Sequence, residues 1–301
     1  MSTQAAQSPF RQTLGRMFGN TSVLLGGGLA LLIAFMGIFA PLLDTRDPSA
    51  ISPANRNKLP GYEAQVRDYE TGQKTAVVYR MGSDTLGRDV YSRVVYGART
   101  SLIVGLSVAA IAVAIGMTVG LIAGYFRWAD GIIMRIMDGM MAIPAILLAI
   151  AVVSLFSAGL LSVIVAIVVA EIPRVVRLVR SVVLSIREEP YVEAAITAGT
   201  PTPLLLVRHV LPNTIAPLIV QGTFIVASAI IIEAILSFLG IGIPPEIPTW
   251  GNIMAEGRQV FQLYPHNILY PGAILALTVL SVNILGDGLR DTMDPRFSRQ
   301  V

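Results

Sequence analysis

Residues 187–213 read REEPYVEAAITAGTPTPLLLVRHVLPN, a polar, proline-bounded interruption between two strongly apolar stretches. Pro190 suits the first turn of a helix, where its missing N–H costs nothing. Gly199 suits the left-handed residue that ends one. Thr202 and Pro203 then suit the start of a second helix, which Pro212 is expected to stop. The stretch therefore predicts two short helices joined at Gly199. On the first, Tyr191, Ala194, Ala195 and Ala198 lie three and four apart, so one face is small-sided and lets a partner's surface approach closely. Without the rest of the chain, the same pattern also describes an ordinary surface hairpin.

The flanking composition decides where such a hairpin sits. The chain is 54% hydrophobic and only 14% charged, against about 25% charged in an average globular protein. This is the composition of a membrane protein. With no cysteine, a disulfide framework, a thiolate metal site and a cysteine nucleophile are all excluded. His209 and His266 lack ligand spacing, so no metal site is expected, and no catalytic constellation is present. The net charge of +3 comes from basic residues scattered between apolar spans, which argues against a nucleic-acid partner. No GxxxxGK[ST] loop occurs, so this chain is expected to bind no nucleotide itself.

A membrane span needs about 20 apolar residues. Thr21 to Leu43 is the first that qualifies; its apolar stretch exceeds a signal-peptide core of about 7 to 15 residues, which favours an uncleaved helix. Ser101 to Phe126 makes the second. The run from Gly139 to Ala170 carries no charge over 32 residues, about 48 Å as helix and too long for one crossing. It is expected to turn back near Ser157 to Gly159, giving a third span from about Gly131 to Phe156 and a fourth from about Leu160 to Val179. Asn213 to Gly240 and Ile268 to Gly286 complete six. Both termini then share one side.

The positive-inside rule orients them. Eleven Lys or Arg fall on the side of the termini, nine in the loop from Asp44 to Thr100, and one, Arg258, in the short loops 157–159 and 241–267. The long loop nearly cancels the bias, so the short loops decide, and residues 187–213 come out cytosolic. The expected organisation is a cytosolic tail (1–20), a first transmembrane helix (21–43), a periplasmic loop (44–100), a five-helix core (101–289) and a cytosolic tail (290–301).

Four motifs together carry a family resemblance. Glu193, Ala194, Ala195, Gly199, Leu211 and Pro212 have the spacing of the coupling segment of ABC importer permeases, departing from it at His209, where the general pattern has Ile. The others are GSDTLGRDVYSRVVYGARTSL (82–102), EAILSFLGIGIPPEIPTWGNIM (233–254) and VNILGDGLRDTMDPR (282–296). In this order they resemble the C-type permease subunit of dipeptide, oligopeptide and nickel ABC importers, over nearly all of Met81 to Arg296. The resemblance implies an all-α integral membrane protein with six transmembrane helices, the type I ABC importer (MetI-like) permease fold and a cytosolic coupling helix. It implies a bacterial inner-membrane subunit that is half of a pore, working with a second homologous permease, two ATP-binding subunits that bind ATP and Mg, and a periplasmic substrate-binding protein, among membrane lipid. The solutes implied are peptides or peptide-like molecules, with nickel chelates or opines as the alternative within the family. A different class, an ion-driven carrier, is expected to show internal repeats and broken helices with ionisable groups at mid-membrane; no repeat is evident.

By the same resemblance Tyr191, Glu193, Ala194, Ala195, Ala198, Gly199, Thr200 and Pro201 are the ATPase-coupling residues. Glu193 either caps its helix, bonds backbone beyond Gly199 or meets a basic group of the partner. Glu233, a carboxylate inside the fifth span, is expensive unless paired, protonated or facing water; it either lines the translocation path or bonds the partner permease, and Asn283 shares that choice. Pro244, Pro245 and Trp250 stiffen a periplasmic loop that covers the cavity mouth or meets the binding protein, with Trp250 alternatively an interfacial anchor. Arg135 is expected to pair with Asp138, and Arg174, Arg177 and Arg180 to meet lipid phosphates. Asp84, Arg88 and Asp89 read as a locally paired, capped helix start, and Pro144 and Pro217 as kinks.

Overall fold

The computed structural model describes residues 15–67 and 74–293. Most of the expected N-terminal tail, and the C-terminal tail beyond Met293, lie outside them. The first helix, α1 (Thr21–Ile38), starts at Asn20, whose Oδ1 accepts from the amides of Ser22 and Val23 at 2.8 and 3.2 Å. That cap satisfies two of the four amides a helix start leaves open. The helix gives way to a 3-10 turn over Ala40–Leu42, where Pro41 lacks the N–H to continue it.

The loop between α1 and the second span, expected to be periplasmic, carries an element that the sequence did not lead us to expect. Strands β1 (Tyr62–Arg67) and β2 (Lys74–Tyr79) pair antiparallel with Tyr62 opposite Tyr79. Val77 and Tyr79 are buried while Val78 between them is exposed, the alternation of a half-buried strand.

Helix α2 (Val90–Tyr125) is 36 residues long. The amphipathic start and the apolar span, read as separate stretches, are one continuous helix because nothing between Val90 and Ser101 breaks it. The third span differs more. It is two helices, α3 (Arg127–Met141) and α4 (Ala145–Val153), bent by 92°. Pro144 has no N–H and forces Ile143 away from helical backbone, so the chain turns sharply where a mild kink was expected.

Helix α5 (Leu160–Ile186) leads to α6 (Pro190–Thr197). Then α7 (Thr202–Leu205), a π-helical stretch (Leu206–Val210) and α8 (Leu211–Phe238) run on without interruption. The second short helix therefore does not stop at Pro212. The wider π turn carries the helix past the proline, with the Leu211 amide bonded to Leu206 O five residues back. Helices α9 (Trp250–Gly257) and α10 (His266–Met293) complete the chain.

Helices α1, α2, the Thr202–Phe238 path and α10 are long and apolar enough to cross a membrane, and the bent α3–α4 pair makes a fifth crossing if counted as one. Helix α5, at 27 residues, has the length, but Glu171, Arg174 and Arg177 interrupt its apolar run. The densest packing is α2 against α5. Gly116, Gly120 and Gly124 form one stripe facing Val175, Val179 and Val183; a methyl built on Gly120 would lie 2.7 Å from Val179 Cβ, and one on Gly124 2.6 Å from Val183 Cβ. Small residues at four-residue spacing let two apolar helices approach until their backbones nearly touch.

Candidate functional site

The EAA segment stands out from the bundle on a short, defined scaffold. Glu189 precedes α6 in extended conformation and Pro190 opens the helix. Gly199 ends it at φ +81°. The Thr200 amide bonds Ala195 O at 3.0 Å and the Gly199 amide bonds Ile196 O at 2.9 Å, the paired pattern of a left-handed C-terminal cap. A methyl on Gly199 would meet nothing within 4 Å, so backbone conformation and not crowding is what requires glycine there.

Three buried residues, Val192, Leu205 and Val210, anchor this unit to the bundle. Around them Tyr191, Ile196, Leu204 and Val207 are exposed, together with Glu193, Ala194, Ala198 and Pro201, while Ala195 and Thr200 are half-buried. Tyr191 and Ile196 lie on α6, and Leu204 and Val207 on the helical path that leads into α8; these exposed apolar side chains beside a polar, proline-bounded turn are suited to burial by another protein. His209, the departure from the expected pattern, sits 6.4 Å from the Tyr191 ring. Asn213 Nδ2 donates to Tyr191 Oη at 3.1 Å and to His209 O at 2.7 Å, which ties the exposed ring to the start of α8. The Glu193 side chain caps nothing among the described residues; its position in the first turn of α6 favours a negative charge.

Away from this segment, a buried ionic network holds α9 to α2. Asp84 Oδ2 accepts from Arg88 Nε at 2.7 Å and Arg93 Nη1 at 2.6 Å. Glu256 of α9 receives both arginines, Arg93 at 2.5 Å. Trp250 Nε1 adds a bond to Val94 O at 3.0 Å. The local pairing of Asp84 with Arg88 is as the sequence suggested, but Arg93 and Glu256 were not legible as members, since 163 residues separate them. Asp89 caps α2 through Ser92, and burial pushes its carboxyl above the usual range, with the Ser92 bonds opposing.

Residues 116–299 match the family model described as binding-protein-dependent transport system inner membrane component. The chain belongs to that family. It is a permease subunit and not an enzyme, and the family implies ATP-binding and substrate-binding partners. Among its relatives, the permease is 51% identical over 278 residues to a probable peptide ABC transporter permease of Sinorhizobium fredii, covering 92% of this chain and 90% of that one. It is 39% identical to a dipeptide transport system permease of Alkalihalophilus pseudofirmus, covering 97% and 91%. It is 43% identical to a glutathione transport system permease of Pectobacterium atrosepticum, covering 72% of each. The fold resembles the inward-facing MetNI methionine ABC transporter at TM-score 0.56 and 18% identity, covering 67% of this chain and 97% of that one.

Within the permease, several assignments change. Glu233 is 0% exposed, and its carboxyl group is taken up by Ser237 Oγ at 2.8 Å and Ser101 Oγ at 3.4 Å. With no exposed surface, it joins α8 to α2 inside this subunit. A second buried carboxylate, Glu171, escaped notice because Arg174 made its neighbourhood look like a membrane boundary. Ser228 Oγ donates to it at 2.8 Å, joining α5 to α8. Asn283 is half-buried in α10. The larger cavity, about 640 Å³ between α5, α8 and α10, has Asn213, Gln221 and Arg290 as its polar lining and includes neither Glu233 nor Asn283.

Trp250 is fully buried against α2 and is neither a lipid anchor nor a docking residue. Pro245 remains exposed and Pro244 half-buried, and both lend carbonyls to buried donors, Pro245 to Arg93 and Pro244 to Asn252. Asp138 pairs with Arg177 of α5 at 2.7 Å and not with Arg135, and Asp130 pairs with Arg180. These arginines thus clamp α3 to α5 where lipid phosphate contacts were expected.

Proposed function

We propose that this permease is half of the pore of an ATP-driven importer of peptides or peptide-like solutes. Residues Tyr191 to Pro201 are its contact with an ATP-binding subunit. The pore is completed by a second homologous permease. Two ATP-binding subunits hold the ATP and Mg, a periplasmic binding protein delivers the solute, the chain crosses the membrane six times, and both termini are cytosolic. The observation that carries the reading is the exposure of Tyr191, Ile196, Leu204 and Val207 on a segment whose Val192, Leu205 and Val210 are buried. The peptide cargo is supported by relatives named as peptide, dipeptide and glutathione permeases.

In this reading the ATP-binding subunits close on ATP and draw the coupling unit with them, and α5, continuous with α6 through a short turn, transmits the displacement. Differential contact between the two states is what makes such a step work. The experiment is replacement of Gly199. Gly199→Val forces a β-branched residue to positive φ, which costs roughly 1–2 kcal/mol or more of local structure. Gly199→Asn tolerates that conformation. Uptake per ATP hydrolysed, in the complete reconstituted importer, is expected to fall with Val and to survive with Asn. Equal coupling in both, with normal assembly, counts against the assignment.

A further inference from the structure

Arg174 differs from the other arginines of α5. Arg177 and Arg180 close on Asp138 and Asp130 of α3. Arg174 turns toward Glu171, its Nη1 lying 3.3 Å from both carboxylate oxygens. This is a long contact, and Glu171 is more firmly held by Ser228. Nε and Nη2 of Arg174 have no partner among the described residues, and the side chain is 48% exposed.

The depth of Arg174 makes that exposure informative. Leu160 to Arg174 is 174 − 160 = 14 residues, about 21 Å at 1.5 Å per residue. With Leu160 near the outer boundary, Arg174 lies inside a hydrocarbon core about 30 Å thick. Glu171 is one turn closer to the membrane centre, so the guanidinium is drawn inward and does not snorkel to the cytosolic surface. A half-exposed cation there is not tolerated against lipid; it faces water or another protein group.

The break between α3 and α4 is an independent observation at the same place. Ala142, Ile143 and Pro144 are non-helical and exposed, and Met140, Met141, Ile143, Pro144 and Ala145 border a cavity of about 190 Å³ with Arg174. Exposed non-helical backbone at membrane depth is stable only beside water or buried by protein. An aqueous passage running past Arg174 and the break meets both conditions, and a covering face of the second permease is the alternative that the test below separates from it.

We propose that Arg174, beside the Met141–Ala145 break, is a carboxylate-binding subsite of the translocation path, taking the carboxylate of a peptide or peptide-like solute in transit. This rests on the proposed importer function. The planar guanidinium offers paired donors that match a carboxylate. Glu171 holds one edge of it, which orients the free donors and partly neutralises the charge, so the solute binds and leaves.

The test uses the absence of cysteine from the chain. In the complete importer, Arg174→Cys is probed with a membrane-impermeant cationic thiol reagent, with Val165→Cys, an exposed apolar position of α5 further from its outer end, as the lipid-facing control and the wild-type chain as the background for other subunits. The thiol of Arg174→Cys is expected to label and that of Val165→Cys not. Uptake of glycyl-leucine is expected to fall at least tenfold in Arg174→Cys. It should recover after aminoethyl methanethiosulfonate, which restores a positive charge, and stay low after the sulfonatoethyl reagent. Uptake of the C-terminal amide of glycyl-leucine is expected to change less than threefold. Three results overturn the subsite: no labelling of Arg174→Cys with or without ATP, which means the second permease covers it; equal recovery with either reagent; or equal loss for acid and amide. Should the wild-type importer take up neither form, the peptide reading fails. The subsite then stands on labelling of the Arg174→Cys thiol and falls without it.

Discussion

Gly120→Ala tests the close packing of α2 against α5. The added Cβ would sit 2.7 Å from Val179 Cβ, 2.9 Å from Val176 O and 3.0 Å from Val179 Cγ1, where ordinary contact begins near 3.4 Å. The helices must part by several tenths of an ångström, and a gap of about 0.5–1 Å forfeits a quarter to a half of each dispersion contact along the seam. Overpacking of this kind costs about 1–3 kcal/mol, which for a chain of this size lowers the unfolding midpoint by roughly 2–10 °C. Thermal unfolding in detergent reads it directly. Because the main obstacle is the Cβ of Val179, Val179→Ala leaves it in place and Val179→Gly removes it. A double-mutant cycle should therefore give a larger favourable coupling for Gly120→Ala with Val179→Gly than with Val179→Ala. Rescue remains partial, since Val176 O does not move. An unchanged midpoint for Gly120→Ala, or equal coupling in the two cycles, would refute the close-approach account.

Three further outcomes are expected from the buried polar groups. Glu233→Gln keeps hydrogen-bonding capacity toward Ser237 and Ser101 and should preserve stability and uptake, whereas Glu233→Ala strands two buried hydroxyls at about 1–3 kcal/mol, measured by unfolding of the two variants side by side. Arg93→Met leaves Asp84 and Glu256 to share Arg88 alone, one cation for two largely buried carboxylates, a loss of about 3–5 kcal/mol; protease susceptibility around α9 should rise while residues 187–213 are unchanged. Asp89 has its carboxyl raised by burial, so below its unfolded-state value the group is protonated in both states and costs nothing. As pH climbs through the raised folded value the native state loses stability relative to the unfolded chain. Asp89→Asn, still able to cap α2, should therefore gain on wild type with rising pH, and a pH-independent difference in midpoint would contradict this.

Much of the architecture is legible without coordinates because it follows from composition and local backbone rules. Apolar length marks most of the crossings, and Pro190 and Gly199 bound α6 where the structure has it. The misreadings have definite physical sources. Pro212 looked terminal since sequence rules treat proline as a stop, yet a π turn absorbs its missing donor. Pro144 looked like a kink within one span, but its missing N–H and the restricted residue before it end α3 and leave a 92° bend to α4. Trp250 looked like an interface residue because a lone aromatic in a loop usually is; its indole is instead locked to Val94 O.

By itself the sequence determined a helical membrane protein, its family motifs and the bounds of α6, all set by local composition, spacing and φ preference. Only the tertiary structure decided which charges meet. Whether a carboxylate in an apolar run faces solute, lipid or a serine depends on neighbours far away in the chain: Glu233 is enclosed by Ser101 from another helix, Arg177 and Arg180 are neutralised across the bend, and Arg174 is left half-exposed. Electrostatic cost depends on distance and solvent access, and neither is a local property of the sequence.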